Sequence, residues 1–207
     1  KEFPHIRMMP PPIKPEELRG IDWVLCSHAH SDHMDPWTLP AIAANNPNCR
    51  FVVPGAEEAT AIARGVPEDR MARANAGDKI ALMPDAVVEV IPAAHCEIKQ
   101  DAMGRHHFLG FILRIGGFTL YHSGDCSPYP GMNETLAKAK IDFALLPANG
   151  RDEYRTARGV IGNFTFQEAV DICLKANIPA LLVHHLYMFV FNTVEPAVLK
   201  QFIAAAP

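Results

Sequence analysis

The chain has 207 residues, a formal charge of −4, 49% hydrophobic residues and 20% charged ones. That balance suits one domain over residues 1–207 with a sizeable core, and it excludes a disordered chain and a nucleic-acid binder working by phosphate neutralisation. No apolar run reaches membrane-spanning length and no signal-peptide pattern opens the chain, while five cysteines without a CxxC pair favour reduced thiols in a cytoplasmic protein.

Lys1–Pro15 is rich in proline and reads as an extended connector. Residues 16–20 read as a helical turn closing at Gly20, and 22–27 as a buried strand. That strand delivers His28-Ala29-His30-Ser31-Asp32-His33, three imidazoles and a carboxylate within six residues. Such groups are seldom buried without partners, so together at a strand end they point to a metal site. Alternate residues of an extended chain share a face, which aligns His28, His30 and Asp32. His33 breaks the alternation, as it would if the chain turned there and served two metal positions.

Beyond the motif, 36–45 reads as a helix with Pro36 in its first turn, 50–53 as a strand, and 56–64 as a helix closed by Gly65. Residues 79–82 and 86–92 form a strand pair about a Pro-Asp turn, and 108–115 with 118–122 a hairpin about Gly116-Gly117. Then come a helix over 131–140, a strand over 142–147, an amphipathic helix over 165–176 with a threonine cap, a strand over 179–184 and a helix over 195–204. Hairpins in the middle and strand–helix alternation at the end predict sheet layers covered by helices.

Three more apolar strands run into polar groups: 87–92 into His95-Cys96-Glu97, 118–121 into His122-Ser123-Gly124-Asp125, and 181–183 into His184-His185. A lone strand-end histidine is more often a hydrogen-bonded core residue than a ligand. Three such ends beside the opening motif reverse that preference.

With these residues assembled, the chain resembles the metallo-β-lactamase superfamily of binuclear metallohydrolases: HxHxDH, a later strand-end His, Ser-Gly-Asp, and a last strand-end His. Pro92-Ala93-Ala94-His95, Gly104-Arg105, Phe108-Leu109-Gly110-Phe111, Tyr121 to Asp125, Leu146 to Asp152 and His185-Leu186-Tyr187-Met188-Phe189 resemble its L-ascorbate-6-phosphate lactonase branch. The resemblance implies an α+β fold, an αββα sandwich. The family's first strand pair, with an apolar strand ending in Asp-Pro, is not seen here, so the sandwich is expected to lack its opening strands. Carried over by position, His28, His30 and His95 would hold one metal, Asp32, His33 and His185 the second, and Asp125 would bridge them. Spacing to Met188-Phe189 selects His185 over His184. Cys126 stands where a threonine is expected and reads as a small buried residue. The lactonase branch implies manganese and the superfamily at large zinc; histidine with carboxylate and no thiolate also suits iron. A homo-oligomer is implied by the resemblance alone.

Two divalent ions sharing a water bring its pKa from about 15.7 towards about 7. The expected reaction is attack of that hydroxide on a lactone or ester of a phosphorylated, sugar-acid-like small molecule. Asp32 and Asp125 are the catalytic carboxylates, Asp32 as proton acceptor as well as ligand. For substrate binding, Arg151, Arg155 and Arg158 in the 150–162 loop offer guanidinium forks for phosphate or carboxylate. Asn149 and Asn163 are placed to donate to a substrate oxygen, and Tyr187 to line the pocket. Glu97 and His122 are candidates for supporting the ligands; His106-His107 reads as an exposed turn. The main alternative is a metal-dependent phosphodiesterase, although the acidic balance and lack of a basic amphipathic helix speak against RNA and phospholipid. A closed structural metal site is disfavoured because the ligands outnumber one ion's needs. The superfamily's redox variant is disfavoured too, since its acidic ligand and flavin domain are both missing.

Overall fold

A computed structural model describes residues 3–4 and 6–205. Strands β1 (Trp23–Leu25), β2 (Arg50–Pro54) and β3 (Met71–Ala74) form a parallel sheet in that order. A second sheet runs β4 (Lys79–Met83), β5 (Ala86–Pro92), β6 (Leu109–Ile115), β7 (Phe118–His122), β8 (Phe143–Pro147) and β9 (Leu181–His184). Its pairing is antiparallel from β4 to β7 and parallel from β7 to β9, so β5, β7, β8 and β9 all point the same way.

Side-chain alternation assigns each strand two faces. Val52 of β2, Val88 and Val90 of β5, and Leu109 and Phe111 of β6 meet in one buried cluster between the sheets. Phe51 and Val53 face outward and pack with Leu39 and Ile42 of α1 (Thr38–Asn45) and Ala61 of α2 (Glu58–Ala63). On the far side Ile112, Tyr121, Ala144 and Leu146 pack against Leu136 of α3 (Met132–Ala139) and, after the short α4 (Glu153–Thr156), Ala169, Ile172 and Cys173 of α5 (Phe166–Ala176). The result is helix, sheet, sheet, helix, the αββα sandwich expected. Leu199 of α6 (Pro196–Ala205) packs on Phe166 in a smaller cluster. Among the described residues no helix is long and apolar enough to cross a membrane.

Local sequence accounts for several boundaries. Thr165 caps α5 in a capping box with Glu168, and the helix ends at Asn177 in the left-handed region. The helix expected over 36–45 runs from Thr38 to Asn45, and Pro36 and Trp37 form a turn leading into it, with the Asp35 carboxylate accepting the Thr38 amide at 2.9 Å and Leu39 N–H donating to Asp35 O at 3.1 Å. β3 was not anticipated: Met-Ala-Arg-Ala lacks β-branched residues, and parallel pairing with β2 alone makes it a strand. The expected connector at the start falls partly on Lys1, Glu2 and His5, outside the described residues. The rest of it is not a bare connector. Arg7 bridges Phe189 in antiparallel fashion, with Met8 N–H donating to Met188 O at 3.0 Å and Val190 N–H to Ile6 O at 3.2 Å.

Candidate metal centre and its cleft

β1 of one sheet, and β5, β7 and β9 of the other, end at one rim of the sandwich. After β1 the chain turns, with His33 and Met34 amides both donating to His30 O. The Arg64 guanidinium fastens the turn by donating to Ala29 O at 2.5 Å and Met34 O at 2.9 Å. Leu109 N–H donates to Ser27 O across the sheets at 2.9 Å, which fixes the motif against β6. After β5, Ala94 O accepts from both the amide and the hydroxyl of Ser127, and the Ala94 amide lies 3.3 Å from Cys126 Sγ. Cys126 therefore ties the His95 turn to the Asp125 turn, and burial pushes its thiol up to about 12, where it stays protonated. Gly124, at φ +62°, makes the turn between β7 and Asp125.

These turns bring the seven ligand candidates together as two groups. One nitrogen or carboxylate oxygen from each of His28, His30, His95 and Asp125 lies within 4.8 Å of the others, and so do those of Asp32, His33 and His185. Asp125 spans the groups: its carboxylate lies 3.1 Å from His33 Nε2, 3.2 Å from His185 Nε2 and 3.9 Å from His95 Nε2. His184 does not join them. It packs on His122, with ring centroids 4.9 Å apart. His122 Nδ1 accepts the Gly124 amide at 3.0 Å, so this imidazole shapes the turn carrying Asp125.

The cluster suits a cation better than it suits itself. His28 Nε2 and His95 Nδ1 are buried and make no hydrogen bond, while Asp125 Oδ1 and His185 Nε2 are buried and face only other members of the cluster. Leaving such atoms unsatisfied costs about 1–3 kcal/mol each, and a divalent ion coordinated by them would remove that cost. Burial lowers His28 well below the usual range, lowers His30 and brings His95 to about 4, so all three present neutral rings with a lone pair to give. Burial opposes charge on Asp32, but the neighbouring His185 and His33 prevail and its pKa falls to about 2. Burial also opposes charge on His185, yet the Asp125 and Asp32 carboxylates push it up to about 10. An anionic pair of carboxylates among imidazoles is a donor set for zinc, manganese or iron.

One hydroxyl supports both groups. Ser27 Oγ lies 3.0 Å from His28 Nδ1 and 3.3 Å from His33 Nδ1. No reading of the sequence singled out Ser27. Its position next to His28 was the available signal.

The centre opens into a cleft of about 430 Å³, lined on the polar side by His30, Asp32, His95, Asp125 and His185. Of the three arginines expected to bind substrate, Arg158 lines the cleft, with its guanidinium 3.8 Å from the Tyr154 ring centroid. Arg151 and Arg155 do not. Arg151 forms a two-pronged pair with Glu168 at 2.6 and 2.5 Å, and Arg155 binds Asp152 and Asn149 O. Asn149 is fully buried: its amide donates to Asn192 at 2.8 Å and accepts from Asn163 at 3.0 Å. Tyr187 packs with Ala148, Phe166 and Leu199 rather than lining the cleft. Glu97 is exposed. His106 and His107 form no exposed turn; they are half-buried and held by Asn75 and Glu57, at 2.7 and 2.6 Å. The Glu168 partner of Arg151 and the Asn75 and Glu57 partners of the two histidines lie 17, 31 and 50 residues away in sequence, and no local pattern announces them.

Comparison with known proteins agrees with this architecture. A family profile described as a beta-lactamase superfamily domain matches residues 3–186. A metal-dependent hydrolase of Aeropyrum pernix is 30% identical over 151 residues, 67% of this chain and 59% of that protein. An Escherichia fergusonii protein named "Probable L-ascorbate-6-phosphate lactonase" is 30% identical over 138 residues, 59% of this chain and 38% of that one. The chain spans about half the length of the curated relatives it matches. Among solved structures, a metallo hydrolase of Ignicoccus hospitalis superposes with a TM-score of 0.67 at 20% identity, over 89% of this chain and 72% of that one.

Proposed function

The chain belongs to the beta-lactamase superfamily, and from that premise we propose that it is a metal-dependent hydrolase acting on a carboxylic ester or lactone. The observation that carries this reading is the convergence of seven donors at one rim, two of them, His28 and His95, with buried nitrogens that lack any hydrogen bond. His28, His30 and His95 would hold one divalent ion, Asp32, His33 and His185 a second, and Asp125 would serve both. Ions held there acidify water and polarise a carbonyl oxygen.

The chain's own residues supply orientation and proton transfer. Asp125 is almost wholly buried, with 4% of its side chain accessible, and acts inside the cluster. The Asp32 side chain is 24% accessible and lines the cleft, so its carboxylate is the group placed to take a proton from water and return one to the leaving oxygen. Its lowered pKa keeps it ionised across the neutral range. A phosphorylated substrate draws no support from Arg151 or Arg155, whose guanidiniums are taken up by Glu168 and Asp152. The lactonase name of one relative supports carbonyl chemistry and leaves the leaving group open.

The test is to load the purified protein with zinc or manganese and follow a simple lactone, an aryl ester and bis-p-nitrophenyl phosphate. Metal-dependent opening of the carbonyl substrates, lost in Asp125→Asn and His30→Ala, is expected. Turnover of the diester alone would replace this reading with a phosphodiesterase, and failure to bind metal would refute both.

A further inference from the structure

Opposite the polar centre the cleft lining is largely apolar, with Arg158 and Asn192 as its polar members. Phe3, Phe189 and Phe191 line it together with Val160 and Ile161. They come from three separate segments, and none belongs to a buried hydrophobic cluster among the described residues. Large apolar side chains that join no core and yet meet beside a polar centre mark a binding surface.

Their geometry is organised. Phe3 stacks on Phe191 with centroids 5.3 Å apart and planes at 15°, and Phe191 on Phe189 at 5.9 Å and 16°. Tyr154 meets the other side of the row edge-on, 6.0 Å from Phe3. The Arg7 guanidinium lies 5.8 Å from the Phe189 centroid. The bridge between Arg7 and Phe189 ties the segment carrying Phe3 to the loop carrying the other two rings. Such rows favour a flat or alkyl group laid against them, and a doubly charged phosphate pressed on the rings would lose its water, with Arg158, stacked on Tyr154, the one arginine among the described lining residues.

We propose that this aromatic wall is the subsite for an apolar aryl or alkyl substituent of the substrate, so that the ester or lactone opened at the adjacent centre carries a hydrophobic group and not a phosphate. The inference rests on the hydrolase reading above for the reacting bond, and on the wall alone for the substituent. A cleft of about 430 Å³ accommodates a lactone ring bearing one phenyl group. Removing a phenyl ring from water against such a wall is worth about ten- to a hundredfold in kcat/KM.

The experiment uses the zinc-loaded protein with γ-butyrolactone, γ-phenyl-γ-butyrolactone and a phosphate-bearing lactone. The phenyl lactone is expected to exceed the unsubstituted one at least tenfold. That ratio should fall towards unity in Phe191→Ala and in Ile161→Asp, the latter at a position 41% exposed where folding tolerates charge. Equal rates, preference for the phosphorylated lactone, or a ratio kept by both variants would overturn the proposal. Binding of 4-phenylbutyrate and butyrate, followed by NMR line broadening, separates the two readings. If no lactone opens, the carbonyl-hydrolase reading fails. Tighter binding of the phenyl compound, lost in both variants, then still supports the wall, and equal binding overturns it.

Discussion

Replacing Gly124 with alanine tests how closely the two sheets approach behind the candidate centre. Gly124 holds φ +62°, and a side chain there costs about 1–2 kcal/mol. An added Cβ would sit 2.7 Å from Leu109 O and 2.7 Å from Ser27 Cβ, neither of which can swing aside as a long side chain would. Relief requires β6 or the start of the histidine turn to shift, at about 1–3 kcal/mol. Together these give about 2–5 kcal/mol, or roughly 5–15 °C in melting temperature for a chain of this size. The assay is thermal unfolding by circular dichroism in chelator, so that ion binding contributes nothing. An alanine variant melting within about 1 °C of the parent would refute the close approach and with it the account of how Asp125 is aimed.

Ser27→Ala removes the one oxygen near both His28 Nδ1 and His33 Nδ1, and zinc affinity measured against a competing chelator dye should fall about 10–100-fold; unchanged affinity would discard the supporting role. Glu168→Ala deletes half the capping box and the Arg151 pair, so denaturant unfolding should lose about 1–2 kcal/mol at neutral pH. Burial raises the Glu168 carboxyl, but its bond to Arg151 outweighs this and leaves the pKa below the ordinary 4.5. Its contribution is therefore complete above that value and vanishes as pH drops through the folded pKa; a parent–variant gap that widens in acid would contradict the sign. Tyr121→Phe should raise stability by about 1 kcal/mol, because the Tyr121 hydroxyl is fully buried with no partner; a lower melting temperature in the variant would show that the hydroxyl is satisfied.

What could be read in advance followed from local pattern. Apolar runs ending in His or Asp marked β1, β5, β7 and β9 together with the side chains they deliver, and Thr165 with Glu168 marked the start of α5. What could not be read depended on distant partners. Arg151 looked available because the sequence does not show that Glu168 occupies it, whereas Arg155 is held chiefly by Asp152 three residues away, with Asn192 adding a distant contact. Tyr187 sits two residues past His185, and only the left-handed φ of +60° turns the chain so that it packs into the core. Phe189 and Phe191 alternate along an irregular segment, a hint of a shared face, but Phe3 joins them only through pairing between the chain's two ends.

The common direction of β5, β7, β8 and β9 divides the molecule into a reactive rim and an inert one. At the inert rim the β6–β7 hairpin tip offers Gly116 and Gly117, both in the left-handed region, where an added Cβ would meet nothing within 4 Å. A tether, an affinity peptide or a fluorescent reporter grafted at that tip would lie a full strand length from the cleft. The protein could thus be immobilised or tracked there with its chemistry facing the opposite way.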